Sequence, residues 1–135
     1  HKIMGFDKSP SAVEKAIQNV ENAKLDDFIY IKHEDFFKTQ KGGGAHLHMV
    51  FNPPYGERLD IEMESFYGSI GSTLKHKYPG TNAWMISSNM EALKHIGLRP
   101  SRKIKLFNAK LESKFVKYEM YEGTKKTHKL ASKNY

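Results

Sequence analysis

The most constraining feature of the sequence is an apolar, β-prone run, Leu47–Phe51, that ends abruptly in Asn52-Pro53-Pro54-Tyr55. Such a run is typical of a buried strand in an α/β sheet, and open α/β sheets bind ligands at the carboxyl ends of their strands. Two prolines fix the backbone torsions, so the polar groups of this segment are held in place before a ligand arrives. The pattern predicts a rigid binding loop, called here the Asn52–Tyr55 loop, at the carboxyl edge of a sheet.

The chemistry of the Asn52–Tyr55 loop suits a nucleobase. Asn52 offers an amide oxygen, and Pro53 offers a carbonyl oxygen without a competing N–H. Tyr55 supplies a flat face on which a planar base can stack. Two acceptors and a stacking face fit a base that carries an exocyclic amino group and has swung out of its helix. The alternative is an ordinary turn, because Asn and Pro are common turn residues.

The longer string Asn-Pro-Pro-Tyr-Gly-Glu-Arg-Leu, residues 52–59, resembles class I methyltransferases that use S-adenosyl-L-methionine to methylate an exocyclic amino group. Within this class it is similar to the group that acts on guanine N2 of large-subunit ribosomal RNA, whose members are often labelled N6-adenine-specific DNA methylases. The resemblance covers almost the whole chain. It implies a Rossmann-like α/β fold, with a mostly parallel sheet and a C-terminal antiparallel hairpin. It also implies catalytic roles for Asn52, Pro53, Pro54 and Tyr55, and ribosomal RNA as a partner.

Two further readings of function stay open beside guanine methylation. The first is methylation of adenine N6 in DNA, since one tetrapeptide does not separate the two bases. The second is an RNA-binding protein that keeps the fold without catalysis. The Gly56-Glu57-Arg58-Leu59 continuation favours guanine N2.

The resemblance also implies a set of cofactor-binding residues. A first strand, Lys2–Asp7, ends in an acid, and Ser9-Pro10 opens an amphipathic helix. In Rossmann-like sheets an acid at such a strand end binds ribose hydroxyls, a role expected here for Asp7, with Lys8 and Ser9 beside it. A lone Asp at a strand end can otherwise be a turn residue.

The next predicted strand, Phe28–Ile31, leads to a second acidic position. The resemblance implies that Asp35 accepts a hydrogen bond from the adenine amino group of the cofactor, with Phe36 beside the ring. Phe36 can equally be a core residue. Asn52 completes the expected cofactor contacts.

Charge is distributed unevenly along the 135 residues, whose net charge is +7. From Lys94 onward, 12 Lys and Arg stand against 3 acids, a balance of +9. This asymmetry favours a polyanion partner, and Arg58, Arg102, Lys103 and Lys105 are the expected nucleic-acid contacts. A lysine-rich face that only increases solubility is the alternative.

Composition limits the remaining classes. The length fits one domain, and no apolar stretch reaches the roughly 18 residues that a membrane span requires. The chain has no cysteine, so neither disulfides nor thiolate metal sites are expected, and His46 and His48 have no third ligand at a recognisable spacing. We predict no metal and a cytoplasmic location.

Periodicity predicts the elements after the loop. A helix is expected over 61–77, in which Gly68 and Gly71 either weaken the helix or permit close packing. A strand over 83–87 and a short helix from Asn89 follow, and two strands, 103–107 and 110–121, form a hairpin around Asn108-Ala109. The apolar phase of the last strand switches, which indicates a β-bulge or a change of burial. The basic tail, 124–135, is expected to be loosely ordered.

One part of the family pattern is absent from this sequence. The family's first strand and Gly-rich cofactor loop are not found, so the chain is expected to be the C-terminal part of a catalytic domain, with an RNA-binding module also lying outside it. In the family the first strand lies between the strands that correspond to 3–7 and 47–51. We therefore expect a strand from outside this chain to fill that position, or the two strands to pair directly.

Overall fold

A computed structural model describes residues 2–43, 46–56 and 60–122. The chain divides into two compact units, residues 1–39 and residues 40–135. The N-terminal unit contains β1 (Ile3–Asp7), α1 (Pro10–Asn22), β2 (Ile29–His33) and a 3-10 turn (Phe36–Lys38). The C-terminal unit contains β3 (Leu47–Phe51), α2 (Ile61–Lys77), β4 (Thr81–Ser87), α3 (Met90–Leu93), β5 (Arg102–Asn108) and β6 (Leu111–Glu119).

The N-terminal unit is a β-α-β segment. Ser9 caps α1 by accepting a hydrogen bond from the backbone N–H of Ala12, and Pro10 occupies the first turn, where its missing N–H is tolerated. The chain then returns, and β2 pairs in parallel with β1 from Ile3↔Ile29 to Asp7↔His33. The carboxyl ends of both strands therefore lie side by side.

The prediction that the strand at residues 47–51 is buried is wrong for the described residues, and β1 is exposed as well. Successive side chains point to opposite faces of a strand, and both faces of β1 are exposed. Ile3 is 60% exposed on one face, and Met4 and Phe6 are 49% and 51% exposed on the other. Val50 of β3 is 69% exposed. β1 and β3 belong to separate sheets among the described residues, so the direct pairing considered above is not observed.

The C-terminal unit is built on a four-stranded sheet in the order β3-β4-β6-β5. β3 and β4 are parallel, whereas β6 runs antiparallel to both β4 and β5. Along β4 alternate residues are buried, and Ala83 and Met85 form the core with Val116 and Tyr118 of β6. The predicted parallel strands and C-terminal antiparallel hairpin are confirmed.

Helix α2 spans the range predicted from the sequence. Asp60 caps it by accepting from the N–H of Met63, and its first turn is acidic while its last turn is basic, which suits the helix dipole. Tyr67, Ile70 and Leu74 form its buried face. A Cβ atom at Gly71 would overlap the carbonyl oxygen of Ile96, so this glycine permits close packing.

The hairpin differs from its prediction in its loop residues, and its last strand shows the second of the two predicted alternatives. Asn108 pairs with Leu111, so the two loop residues are Ala109 and Lys110, and Ala109 has a φ of 56°. The registers of β6 with β4 and with β5 are continuous, so no bulge is present. The switch of apolar phase reflects a change of burial, since Ser113 is buried on one face of β6 and Val116 on the other.

Among the helices of the described ranges, none combines the length and the hydropathy that a membrane span needs.

Candidate active site

The Asn52–Tyr55 loop follows β3 directly, at its carboxyl end. Because β3 and β4 are parallel and Phe51 pairs with Met85, the loop emerges beside the end of β4. Asn52 is exposed, Pro53 is buried and Tyr55 is half-buried. A buried proline next to an exposed amide anchors the backbone while the Asn52 side chain faces solvent.

Two carbonyl oxygens of the loop are held by side chains from neighbouring elements. The hydroxyl of Tyr67 in α2 donates to the Pro54 carbonyl oxygen at 3.0 Å. The side-chain amide of Asn89, at the start of α3, donates to the Tyr55 carbonyl oxygen at 2.6 Å. The loop is therefore tied to α2 and α3, as well as to β3 through the chain.

Ser87, the last residue of β4, connects these two contacts. Its hydroxyl lies 2.7 Å from the Tyr67 hydroxyl and accepts from the backbone N–H of Asn89 at 3.1 Å. Burial raises the pKa of Tyr67, an effect that the hydrogen bond with Ser87 partly offsets. Tyr67 therefore remains a neutral hydroxyl donor at physiological pH.

Sequence reasoning missed this contribution of Tyr67, Ser87 and Asn89. It placed Tyr67 within a helix, Ser87 at a strand end and Asn89 at a helix start. All three placements are correct, but no spacing in the sequence indicates that the three side chains meet at the loop.

The other two acceptors of the loop remain available. Within the described ranges, neither the Asn52 side chain nor the Pro53 carbonyl oxygen takes part in a hydrogen bond. These are the two acceptors that the sequence predicts for an amino group. The loop thus uses its last two carbonyls for anchoring and leaves the predicted pair unengaged.

In the N-terminal unit, Asp7 lies exposed at the carboxyl end of β1. Its Oδ1 accepts from the backbone N–H of Ser9 at 2.7 Å, and its backbone carbonyl accepts from the N–H of Glu34 at 3.0 Å. The imidazole Nε2 of His33 lies 2.8 Å from the carbonyl oxygen of Lys8. These contacts fix the turn after β1 and orient the Asp7 carboxylate.

Asp35 follows β2 and caps the 3-10 turn. Its Oδ1 accepts from the N–H of Phe37 at 3.1 Å, and the rings of Phe36 and Phe37 meet edge to face with centroids 5.6 Å apart. Phe36 is half-buried, and Phe37 is 37% exposed. Asp7 and Asp35 therefore follow adjacent parallel strands at the same edge of the β1–β2 sheet.

The predicted site residues fall in both units. Asp7, Lys8, Ser9, Asp35 and Phe36 belong to the N-terminal unit, whereas the Asn52–Tyr55 loop belongs to the C-terminal unit. That the two groups serve one cofactor stays a prediction.

Three of the four predicted nucleic-acid contacts lie on β5. Arg58 lies outside the described residues, whereas Arg102, Lys103 and Lys105 are exposed on β5. Because side chains alternate along a strand, Lys103 and Lys105 share one face of the hairpin and Arg102 points to the other, opposite Lys117. Lys105 forms an ion pair with Glu112 at 3.2 Å.

Comparison with solved structures identifies the fold class. The chain superposes on the crystal structure of SMU.472, described as a methyltransferase and complexed with SAH, with a TM-score of 0.79 and 24% identity, over 90% of this chain and 32% of that chain. A crystal structure of a predicted N6-adenine-specific DNA methylase from Listeria monocytogenes str. 4b F2365 matches with a TM-score of 0.71 and 28% identity, over 87% of this chain and 30% of that one. The fold is that of class I methyltransferases, as the sequence predicted.

The chain belongs to the RMKL-like methyltransferase domain family, whose model matches residues 1–117. Curated relatives include the ribosomal RNA large subunit methyltransferase K/L of Syntrophotalea carbinolica, 33% identical over 89% of this chain. The protein of the same name from Hahella chejuensis is 34% identical over 88% of this chain. The matches cover 18% and 17% of these two relatives, so the chain spans less than a fifth of their length.

Proposed function

We propose that the full-length protein containing this chain transfers a methyl group from S-adenosyl-L-methionine to guanine N2 of large-subunit ribosomal RNA. The observation that carries the proposal is a pair of acceptors, the Asn52 side chain and the Pro53 carbonyl, that no described residue engages and that lies beside the half-buried Tyr55. Its support also includes the names of the relatives, which are ribosomal RNA methyltransferases. A cytoplasmic location accompanies the proposal.

The acceptor pair addresses the difficulty of this reaction. An exocyclic amino nitrogen is a poor nucleophile because its lone pair is delocalised into the ring. When its N–H groups donate to the Asn52 and Pro53 oxygens, the lone pair becomes localised and points at the methyl carbon. The N–C bond forms as the C–S bond breaks, the electron pair goes to sulfur, and a proton leaves the nitrogen for water. Positioning and fixed dipoles supply the catalysis.

The N-terminal unit is proposed to hold the adenosine part of the cofactor. When bound, S-adenosyl-L-methionine supplies the electrophilic methyl group. Asp7 and Asp35 each use Oδ1 to accept a backbone N–H, which orients the carboxylate and leaves lone pairs on Oδ2 for a ligand. Asp7, flanked by Lys8 and Ser9, is proposed to bind the ribose hydroxyls, while Asp35 accepts from the adenine amino group beside Phe36.

A strand outside these 135 residues is proposed to pair with β1 and β3. Among the described residues β1 pairs with β2 alone and β3 with β4 alone, so each has an edge at which a further strand can pair. The same outside segment is proposed to carry the Gly-rich cofactor loop, and a separate RNA-binding module is expected beside it. Calorimetry on the isolated 135 residues is then expected to detect no binding of S-adenosyl-L-methionine at the affinity of a complete methyltransferase. Ordinary affinity would contradict this division of the site.

A second candidate is methylation of adenine N6 in DNA, which the similarity to the Listeria protein favours. Both candidates are tested by incubating the full-length protein with methyl-labelled cofactor and ribosomal RNA from a strain that lacks the gene. Nucleoside mass spectrometry is expected to find label in N2-methylguanosine, while RNA from the parent strain, already methylated, accepts none. Label only in N6-methyladenine of added DNA would replace the first candidate by the second. RNA binding without transfer to either substrate would indicate a non-catalytic protein.

A further inference from the structure

A hydrogen-bond network connects α2, β4 and α3 to the Asn52–Tyr55 loop. We propose that Tyr67, Ser87 and Asn89 are positioning residues, which fix the loop so that Asn52 and Pro53 present their oxygens to the amino group. This role rests on the proposed function of the loop. Tyr67 and Asn89 bind backbone carbonyls of the loop, Ser87 binds Tyr67 and the N–H of Asn89, and none of the three is proposed to touch the substrate.

The first arm of the network is a one-way chain of hydroxyl groups. Each hydroxyl has a single proton, so when Tyr67 donates to the Pro54 carbonyl, Ser87 must donate to Tyr67. The Ser87 oxygen then accepts from the backbone N–H of Asn89. Every donor in this series of hydrogen bonds has one acceptor, and the series ends at the Pro54 carbonyl of the loop.

This first arm lies inside the protein. Tyr67 and Ser87 are both 0% exposed, so water cannot replace a lost member of the network. A buried hydroxyl without a partner costs free energy, and this cost resists any movement of the Pro54 carbonyl away from Tyr67. The arm therefore restrains the second proline of the loop from the side of α2.

The second arm is the side chain of Asn89, which uses both ends of its amide. Its Oδ1 accepts from the N–H of Ala92 and caps α3, while its Nδ2 donates to the carbonyl oxygen of Tyr55. An amide can do both at once, because it carries an acceptor and a donor on one planar group. The loop is thus held at two consecutive carbonyls by two elements that are separate in sequence.

The network engages two of the four acceptors of the loop and leaves the other two for a ligand. Within the described residues, the carbonyls of Pro54 and Tyr55 accept hydrogen bonds from Tyr67 and Asn89, and the acceptors of Asn52 and Pro53 take part in none. A loop fixed at its second half keeps its first half in one orientation. Displacement by about 1 Å at a reacting group can reduce a rate by roughly a hundredfold.

The test uses the full-length protein with Tyr67→Phe and Asn89→Asp. Tyr67→Phe removes only the hydroxyl group. Asn89→Asp keeps the helix cap, at which Asp is as good as Asn, but removes the donor to Tyr55. Tyr118→Phe is the matched control, since Tyr118 is also buried and makes no hydrogen bond to the loop among the described residues. If one variant fails to fold, the other decides.

The first readout is the NMR order parameter of the backbone amides of Tyr55 and Gly56, which reports how firmly the loop backbone is held. Loss of one hydrogen bond is expected to lower the order parameter from about 0.85 towards 0.6 in both variants, and not in Tyr118→Phe. Unchanged order parameters in the variants would overturn the proposal. This readout needs no catalytic activity, so it decides the positioning role even if the full-length protein transfers no methyl group, a result that would remove the proposed function alone.

The second readout is single-turnover methyl transfer with saturating RNA and cofactor. Tyr67→Phe and Asn89→Asp are each expected to lower the rate by about tenfold, with the dissociation constants of RNA and cofactor unchanged. In an Asn52→Ala background these losses should become smaller, because the Pro53 oxygen is then the only acceptor of the pair left to position. Losses of equal size in both backgrounds would indicate a general structural defect and would overturn the proposal.

Discussion

Gly71 offers a sharp test of the packing between α2 and the segment after α3. A Cβ atom there would overlap the carbonyl oxygen of Ile96 and lie 2.7 Å from its carbonyl carbon and 3.1 Å from its Cγ2. The obstacle is backbone, and Ile96 is only 2% exposed, so it cannot retreat into solvent. At Gly68, one turn earlier, a Cβ atom would lie 3.6 Å from the His95 carbonyl oxygen, which is ordinary contact.

A comparison of Gly71→Ala with Gly68→Ala therefore separates the effect of packing on stability from the effect of helix propensity. Both substitutions gain up to ~1 kcal/mol of helix propensity, and only Gly71→Ala adds an overpacking cost of about 1–3 kcal/mol or more. We expect Gly68→Ala to be neutral or stabilising and Gly71→Ala to be less stable than Gly68→Ala by about 3 kcal/mol. Urea unfolding followed by the fluorescence of Trp84, which stacks on Phe115 in the sheet, measures this difference. Equal stability of the two variants would refute the close approach.

Three further predictions concern the hairpin, the core and the RNA surface. Ala109→Gly should stabilise the chain by about 1 kcal/mol in the same assay, because Gly accepts the positive φ without steric cost; a loss of stability would contradict this. Burial raises the pKa of Tyr118 from 10.0 to about 12, because the folded state disfavours the charged phenolate. The free energy of unfolding should therefore fall as the pH rises from 10 to 12, and it should fall by up to about 3 kcal/mol more than in Tyr118→Phe. Identical pH profiles would refute that shift. Replacing Arg102, Lys103 and Lys105 by Glu in the full-length protein should reduce the slope of log affinity for RNA against log salt by about 2, and an unchanged slope would assign them to solubility alone.

Sequence patterns located the elements well where local signals were strong. The bounds of α2 agree because Asp60 caps one end, Pro79-Gly80 follows the other, and the apolar spacing between them is helical. The loop after β3 was recognisable because two prolines interrupt an apolar strand. Such signals depend on neighbours in sequence.

Features that depend on distant partners were not predictable in the same way. The phase switch in β6 has two local explanations, and only the neighbouring strands β4 and β5 reveal continuous registers with burial on both faces. The contacts of Tyr67 with Pro54 and Ser87 span 13 and 20 residues, and only the packing of α2 against the sheet brings them together. The exposure of β1 likewise depends on what covers it, which no residue within β1 indicates.

Asn52 is proposed to act on the amino group in the transition state. The most direct test of this role is single-turnover methyl transfer by the full-length protein carrying Asn52→Ala, with Asn82→Ala as control, since Asn82 lies near the amino end of β4. We expect Asn52→Ala to lower the rate by about 10²–10³ while cofactor affinity changes by no more than a few fold, and we expect Asn82→Ala to transfer normally. Near-normal transfer by Asn52→Ala would contradict the account and remove Asn52 from the mechanism.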